Sequence, residues 1–155
     1  MPKIDIGSLG ERKGSSYPPP FDAPCADRVR KALGEAAGLT DFGVNLLRLP
    51  PGAWSSQRHW HRDEDEFVFV VSGEVTLVSD EGESVLRAGD CAGFRKGDDN
   101  GHQLINRTNG TAICLEVGTR TQGVDLCTYS DIDMKIDDAV GRFAHKDGTF
   151  YPAGA

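Results

Sequence analysis

His59 and His61 stand one residue apart, and four acids, Asp63 to Glu66, follow almost at once. In an extended strand, residues i and i+2 point to the same face. The two imidazoles of His59-Trp60-His61 can therefore approach one ion together, while Trp60 points away. Taken alone, such a pair also fits an ordinary surface strand, and the acids fit a solvated turn. The sequence separates the acids to some degree. Asp63, Glu64 and Asp65 read as turn, whereas Glu66 opens the apolar run EFVFVVS and so begins a strand. If residues 62–65 form a hairpin connection, Glu66 returns beside His61, with Cβ atoms about 5 Å apart. Glu64 stays in the turn. A third imidazole follows in GDCAGFRKGDDNGHQLINRT, where glycines punctuate the run and His102 opens a further strand with Leu104 and Asn106 on its face.

The remaining chain supplies elements to hold these groups. Residues 1 to 25 read as an arm, and SSYPPPF predicts an extended, polyproline-like path. ADRVRKALGEAAGL, residues 26–39, places Val29, Leu33 and Ala36 on one stripe and predicts a short helix weakened by Gly34 and Gly38. From Phe42 onward, short apolar or alternating runs recur between Gly/Asp/Asn breaks, the pattern of an all-β sandwich or barrel. In EFVFVVS both faces are apolar: Val68 and Val70 share the face of Glu66, and Phe67, Phe69 and Val71 take the other. An antiparallel strand with one wet face alternates instead. The outer face therefore needs a cover from the arm, a second subunit, or both, and a homodimer is expected. The tail reads as a packed extension with a turn at 146–149 and with His145 at the surface.

The site residues and their spacing resemble the two motifs of the cupin superfamily. The first motif reads Gly52, His59-Trp60-His61, Glu66 and Gly73, with one extra residue between Gly52 and His59; the second reads Gly89, Gly97, His102 and Asn106, with Arg95 at the usual proline position and two extra residues before His102. The departures fall in loops and leave the ligand types intact. The likeness runs over most of residues 28 to 135 and extends to single-domain bacterial cupins. It implies an all-β fold, a double-stranded β-helix (jelly-roll) barrel over 41–130. An N-terminal arm, 1–40, packs on the barrel or on a partner subunit, and 131–155 form a C-terminal extension. It also implies His59, His61, Glu66 and His102 as ligands of one divalent metal, and commonly a dimer. Three neutral imidazoles and a carboxylate suit Fe, Mn, Ni, Cu, Co or Zn better than Ca or Mg. Asn106 is a candidate for a supporting hydrogen bond or for loop closure, and Arg95 and Lys96 for the rim.

Bulk composition narrows the partners. The chain has 155 residues, a formal net charge of −7 and no basic block, which argues against nucleic acid. No apolar run approaches the roughly 18 to 20 residues of a membrane span. The polar start MPKIDIGSLGERKG lacks the apolar core of a signal peptide, so the cytoplasm is the default expectation. The four cysteines form no close pairs and read as free thiols, most of them buried. The expected function is a metal-dependent enzyme on a small organic molecule, of dioxygenase, isomerase or lyase type, with Glu66 as a candidate base. The alternative is a non-catalytic module that binds or senses a small molecule.

Overall fold

The computed structural model describes residues 3–152. In chain order the elements are β1 (Arg12–Lys13), β2 (Val29–Ala32), α1 (Leu33–Ala36), β3 (Phe42–Leu49), β4 (His59–His61), β5 (Glu66–Ser72), β6 (Glu74–Ser79), β7 (Gly82–Arg87), β8 (Cys91–Phe94), β9 (Gln103–Ile105), β10 (Ala112–Thr119), β11 (Leu126–Tyr129), β12 (Lys135–Asp137) and β13 (Arg142–Ala144). The strands pair antiparallel throughout. One wall is a six-stranded sheet in the order β1-β2-β3-β10-β5-β8. The facing wall combines β13-β12-β11-β4 with β7-β6-β9. A backbone bridge joins its two parts, His59 N–H to His102 O at 3.1 Å and His102 N–H to His59 O at 2.8 Å.

Period-two patterning explains where the core sits. Leu47 and Leu49 of β3, Val68 and Val70 of β5, Val75 of β6 and Cys114 of β10 point inward and are buried together. Burial of side chains of this size stabilises by about 1.5 to 3 kcal/mol each. The reverse face of β5 is apolar as read from the sequence, and Phe67, Phe69 and Val71 are 42%, 38% and 49% exposed. Among the described residues, the arm does not cover that face. Gly73 makes the sharp turn from β5 to β6 with φ 78°, and a Cβ there would lie 2.9 Å from Ala112 Cα.

Three local expectations are corrected. The helix expected over 26–39 is cut back to a single turn, α1, because the residues before it form β2 and pair with β3. Sheet pairing prevails because a stretch with two glycines has little intrinsic helix stability to oppose it. The proline run turns at Pro19–Asp22 into a short 3-10 turn over Ala23–Cys25 rather than continuing extended. It lays Tyr17 against Tyr129 and Phe143, and Phe21 against Tyr151, so arm and tail share a second cluster around Met134. The third correction concerns the hairpin. β4 pairs with β11 and β5 pairs with β10 and β8, so the chain between 62 and 65 crosses from one wall to the other.

Candidate metal centre

The crossing changes how Glu66 reaches the histidines. It is not their neighbour on a paired strand but faces them across the barrel. His59 and His61 project from β4, His102 sits at the bridge leading into β9, and Glu66 opens β5 on the opposite wall. Their atoms converge nonetheless. Glu66 Oε2 lies 2.9 Å from His102 Nε2, 3.5 Å from His59 Nε2 and 3.6 Å from His61 Nε2. The structure thus places an imidazole nitrogen of each of the three predicted histidines within 3.6 Å of Glu66 Oε2, and ligand atoms of His59, Glu66 and His102 lie within 4.8 Å of one another.

The outer nitrogens define the chemistry of the inner ones. His59 Nδ1 is 2.9 Å from the carbonyl oxygen of Gln57, and His61 Nδ1 is 2.5 Å from Asp125 Oδ2. A carbonyl can only accept, so His59 Nδ1 carries the proton and its Nε2 presents a lone pair inward. Asp125 acts likewise on His61, and its other oxygen accepts from the Asp63 N–H at 2.9 Å. His102 stacks on Phe94, with centroids 3.5 Å apart and planes 2° from parallel. Its Nδ1 is buried without a hydrogen-bond partner among the described residues. Lone pairs and a carboxylate meeting in a half-buried space fit a cation.

Charge distribution agrees. Burial disfavours the Glu66 carboxylate, but the hydrogen bond from His102 Nε2 and the nearby imidazoles outweigh it and hold its pKa well below the usual range. Burial likewise opposes protonation of His61, yet the bond to Asp125 and the charge of Glu66 raise its pKa. At His102 burial prevails and the pKa is lowered.

Two cavities flank the cluster. The larger, of about 290 Å³, is bordered by His59, Glu66 and His102 and by Arg28, Arg30, Glu116 and Arg120. Three guanidiniums against two carboxylates give this space a positive balance inside an acidic chain. The smaller, of about 140 Å³, borders His61, Glu64 and Arg95 on the other side, with Glu66 and His102 common to both. Lys96 lies outside both cavities, exposed, with its backbone N–H on Asp65. Gln57 and Arg58 serve the fold: Gln57 binds the Phe21 carbonyl, and Arg58 binds Asp80 and Asp131. Asn106 closes a loop, donating to the Leu49 and Gly110 carbonyls at 2.7 Å each and accepting from Thr108. His145 is half-buried and bonded to Asp133.

Sequence reasoning missed Asp125 and Cys127. Cys127 is paired in register with His61, and Tyr129 with His59. Sγ of Cys127 lies within 4.8 Å of ring nitrogens of both histidines. The Cys-Thr-Tyr alternation on β11 mirrors His-Trp-His on β4, a signal visible only once the pairing is known. Of the free cysteines, Cys25, Cys114 and Cys127 are buried as expected and Cys91 is exposed.

A jelly-roll barrel with this four-residue cluster at one end defines a class. A family model described as a cupin domain matches residues 45–118. The solved structure of a cupin-superfamily sugar phosphate isomerase from Silicibacter pomeroyi is 49% identical, with 98% of each chain covered and a TM-score of 0.93. A putative sugar phosphate isomerase from Acidithiobacillus ferrooxidans is 32% identical over 77% of this chain and 75% of its own, with a TM-score of 0.71. The polyketide cyclase RemF from Streptomyces resistomycificus is 16% identical over 77% of this chain and 79% of its own, with a TM-score of 0.60, a likeness of fold alone. No curated protein matches the chain. The chain belongs to the cupin superfamily.

Proposed function

We propose that the protein is a metal-dependent isomerase acting on a small phosphorylated sugar, with His59, His61, Glu66 and His102 as the ligands of one divalent transition metal. The observation that carries this reading is the position of the cluster: it borders a cavity with a positive balance of fixed charge. The cavity suits an anionic polyol better than an apolar substrate. The names of the two relatives at 49% and 32% identity support the same class.

A divalent ion held there supplies Lewis-acid polarisation of a carbonyl or hydroxyl oxygen. The protein's own groups divide the remaining work. Glu66 Oε2 faces the imidazoles, whereas Oε1 lies on the side of Gly118, 4.0 Å from where a Cβ would stand. We assign Oε1 as the base that takes the proton from the hydroxyl-bearing carbon next to the carbonyl and returns it to the former carbonyl carbon, while the hydroxyl proton passes from the first carbon's oxygen to the former carbonyl oxygen. Tyr129 lines the same cavity, and burial pushes its phenol well above the ordinary range, so it keeps its proton and remains a donor. Glu116 is committed to Arg30 through bonds of 2.7 and 2.9 Å, leaving Glu66 as the cavity carboxylate not paired with a guanidinium. A second copy of the chain covering Phe67, Phe69 and Val71 completes the proposal.

The test is elemental analysis of protein purified without a histidine tag, followed by incubation of aldose and ketose phosphates in deuterated water. Isomerisation with deuterium entering the product is expected, along with metal loss in His59→Ala, His61→Ala and His102→Ala. Metal content unchanged in all three variants would sink the ligand assignment. A loaded protein that neither isomerises nor exchanges deuterium would sink the enzyme and favour a binding module.

A further inference from the structure

The wall opposite the histidines contains a gap with a definite layout. Glu66 is paired in register with Gly118, and Gly118 with Gly43, so three inward positions lie in one row across β5, β10 and β3. Two of the three have no side chain. Arg120, two residues beyond Gly118 on the same inward parity, folds over Gly43: a Cβ at Gly43 would come within 2.5 Å of Arg120 Cζ. The guanidinium thus occupies the far end of a bare strip whose near end is Glu66.

Arg120 also differs from the other arginines of the cavity. Arg28 is buried and spends its donors on the carbonyls of Gly14 and Ser55. Arg30 is clamped on Glu116. Arg120 is exposed, and its side chain makes one long bond, 3.4 Å, to the carbonyl of its neighbour Thr119. Among the described residues no carboxylate lies within salt-bridge distance of it, and Glu35, on the same side, is held by Arg12 at 3.1 and 2.6 Å.

We infer that Arg120 is the phosphate clamp of the cavity, binding the phosphomonoester end of a sugar whose reacting end lies at Glu66. This rests on the isomerase reading of the same site. Two strand spacings separate the backbones of Glu66 and Gly43 by about 10 Å. With carbon–carbon bonds of about 1.5 Å, an extended sugar of about five or six carbons and its phosphate span that gap. A guanidinium offers two parallel N–H donors to two phosphate oxygens, which a hydroxyl end cannot match. The glycines keep the strip open for the carbon chain, and Gly43 in particular leaves the guanidinium room to lie flat.

The experiment compares wild type with Arg120→Gln, Arg120→Lys and Gly43→Ala, each loaded with metal. Binding of inorganic phosphate is measured by calorimetry, and turnover by KM and kcat on an aldose phosphate and on the same aldose without phosphate. Loss of a charged, paired contact is expected to weaken phosphate binding and raise KM for the phosphorylated sugar by about 10- to 100-fold in Arg120→Gln. Arg120→Lys should recover part of this, and Gly43→Ala should weaken binding by displacing the guanidinium. Metal content should hold, and the advantage in KM of the phosphorylated over the unphosphorylated sugar should shrink. Equal phosphate affinity and equal KM in wild type and Arg120→Gln overturn the clamp while leaving the isomerase reading intact. Arg120-dependent phosphate binding without turnover of any sugar phosphate supports the clamp and overturns the isomerase reading instead.

Discussion

His61 Nδ1 and Asp125 Oδ2 lie 2.5 Å apart although 64 residues separate them, and Asp125 in turn holds the Asp63 N–H. The carboxylate therefore sets the ring orientation of one proposed ligand and anchors the chain leaving it. It also raises the His61 pKa against the opposing effect of burial. A raised pKa means that protons compete with a metal at His61 until pH exceeds it, so affinity should fall as pH drops through that value. Asp125→Asn removes the charge at nearly constant size. Metal affinity near pH 8, where free histidine is largely neutral, should fall about 10- to 100-fold. The pH at which binding is lost should move down, because His61 gives up its proton more readily. Metal titrations at several pH values check both signs, and an unaltered pH profile would contradict the assigned role.

Cys127 is close enough to His59 and His61 to compete for a place in the coordination set. Burial raises its thiol pKa strongly, with Glu66 adding to the effect, so the sulfur holds its proton where no ion displaces it. The four nitrogen and oxygen donors form a complete set without it. Cys127→Ser should therefore retain metal, and the cobalt-substituted protein should show no thiolate-to-metal charge-transfer absorption. A strong near-ultraviolet band that disappears in the serine variant would move Cys127 into the ligand set.

Asn106 is fully buried and joins the end of β3 to the loop before β10. Its truncation strands the Leu49 carbonyl in the core and releases Thr108. Asn106→Ala should destabilise by about 2 to 4 kcal/mol, lowering the melting temperature by about 5 to 15 °C. Metal affinity of the folded variant should stay at the wild-type value. Thermal melts paired with metal analysis separate this structural role from a part in the site.

The exposed row of Phe67, Phe69 and Val71 continues across β10, where Val117 stands opposite Phe67 and Leu115 opposite Phe69. An apolar sheet face of this kind marks an interaction surface. Sedimentation at micromolar concentration should give a dimer, and Phe67→Glu with Phe69→Glu should give a folded monomer. A wild-type monomer would refute the second copy as the cover.

The residues meeting at the centre were legible because their signals are local. The i, i+2 relation of His59 and His61, the start of an apolar run at Glu66 and the glycine-punctuated approach to His102 are each properties of a short stretch. The all-β class was legible for the same reason, since period-two runs and turn residues report on neighbours in sequence. Over 26–39 the weak helical stripe survives only as α1, because Val29–Ala32 pair with β3, a contact that the stretch itself does not encode.

What tertiary structure decided is which wall each strand joins. Residues 62–65 carry the same composition whether they close a hairpin or cross the barrel, because turn chemistry does not specify a partner strand. Only the fold places Glu66 opposite the histidines, Asp125 behind His61, Cys127 beside them and Arg120 over Gly43. Each of these relations joins residues distant in sequence through strand register, and register is set by the packing of the whole core.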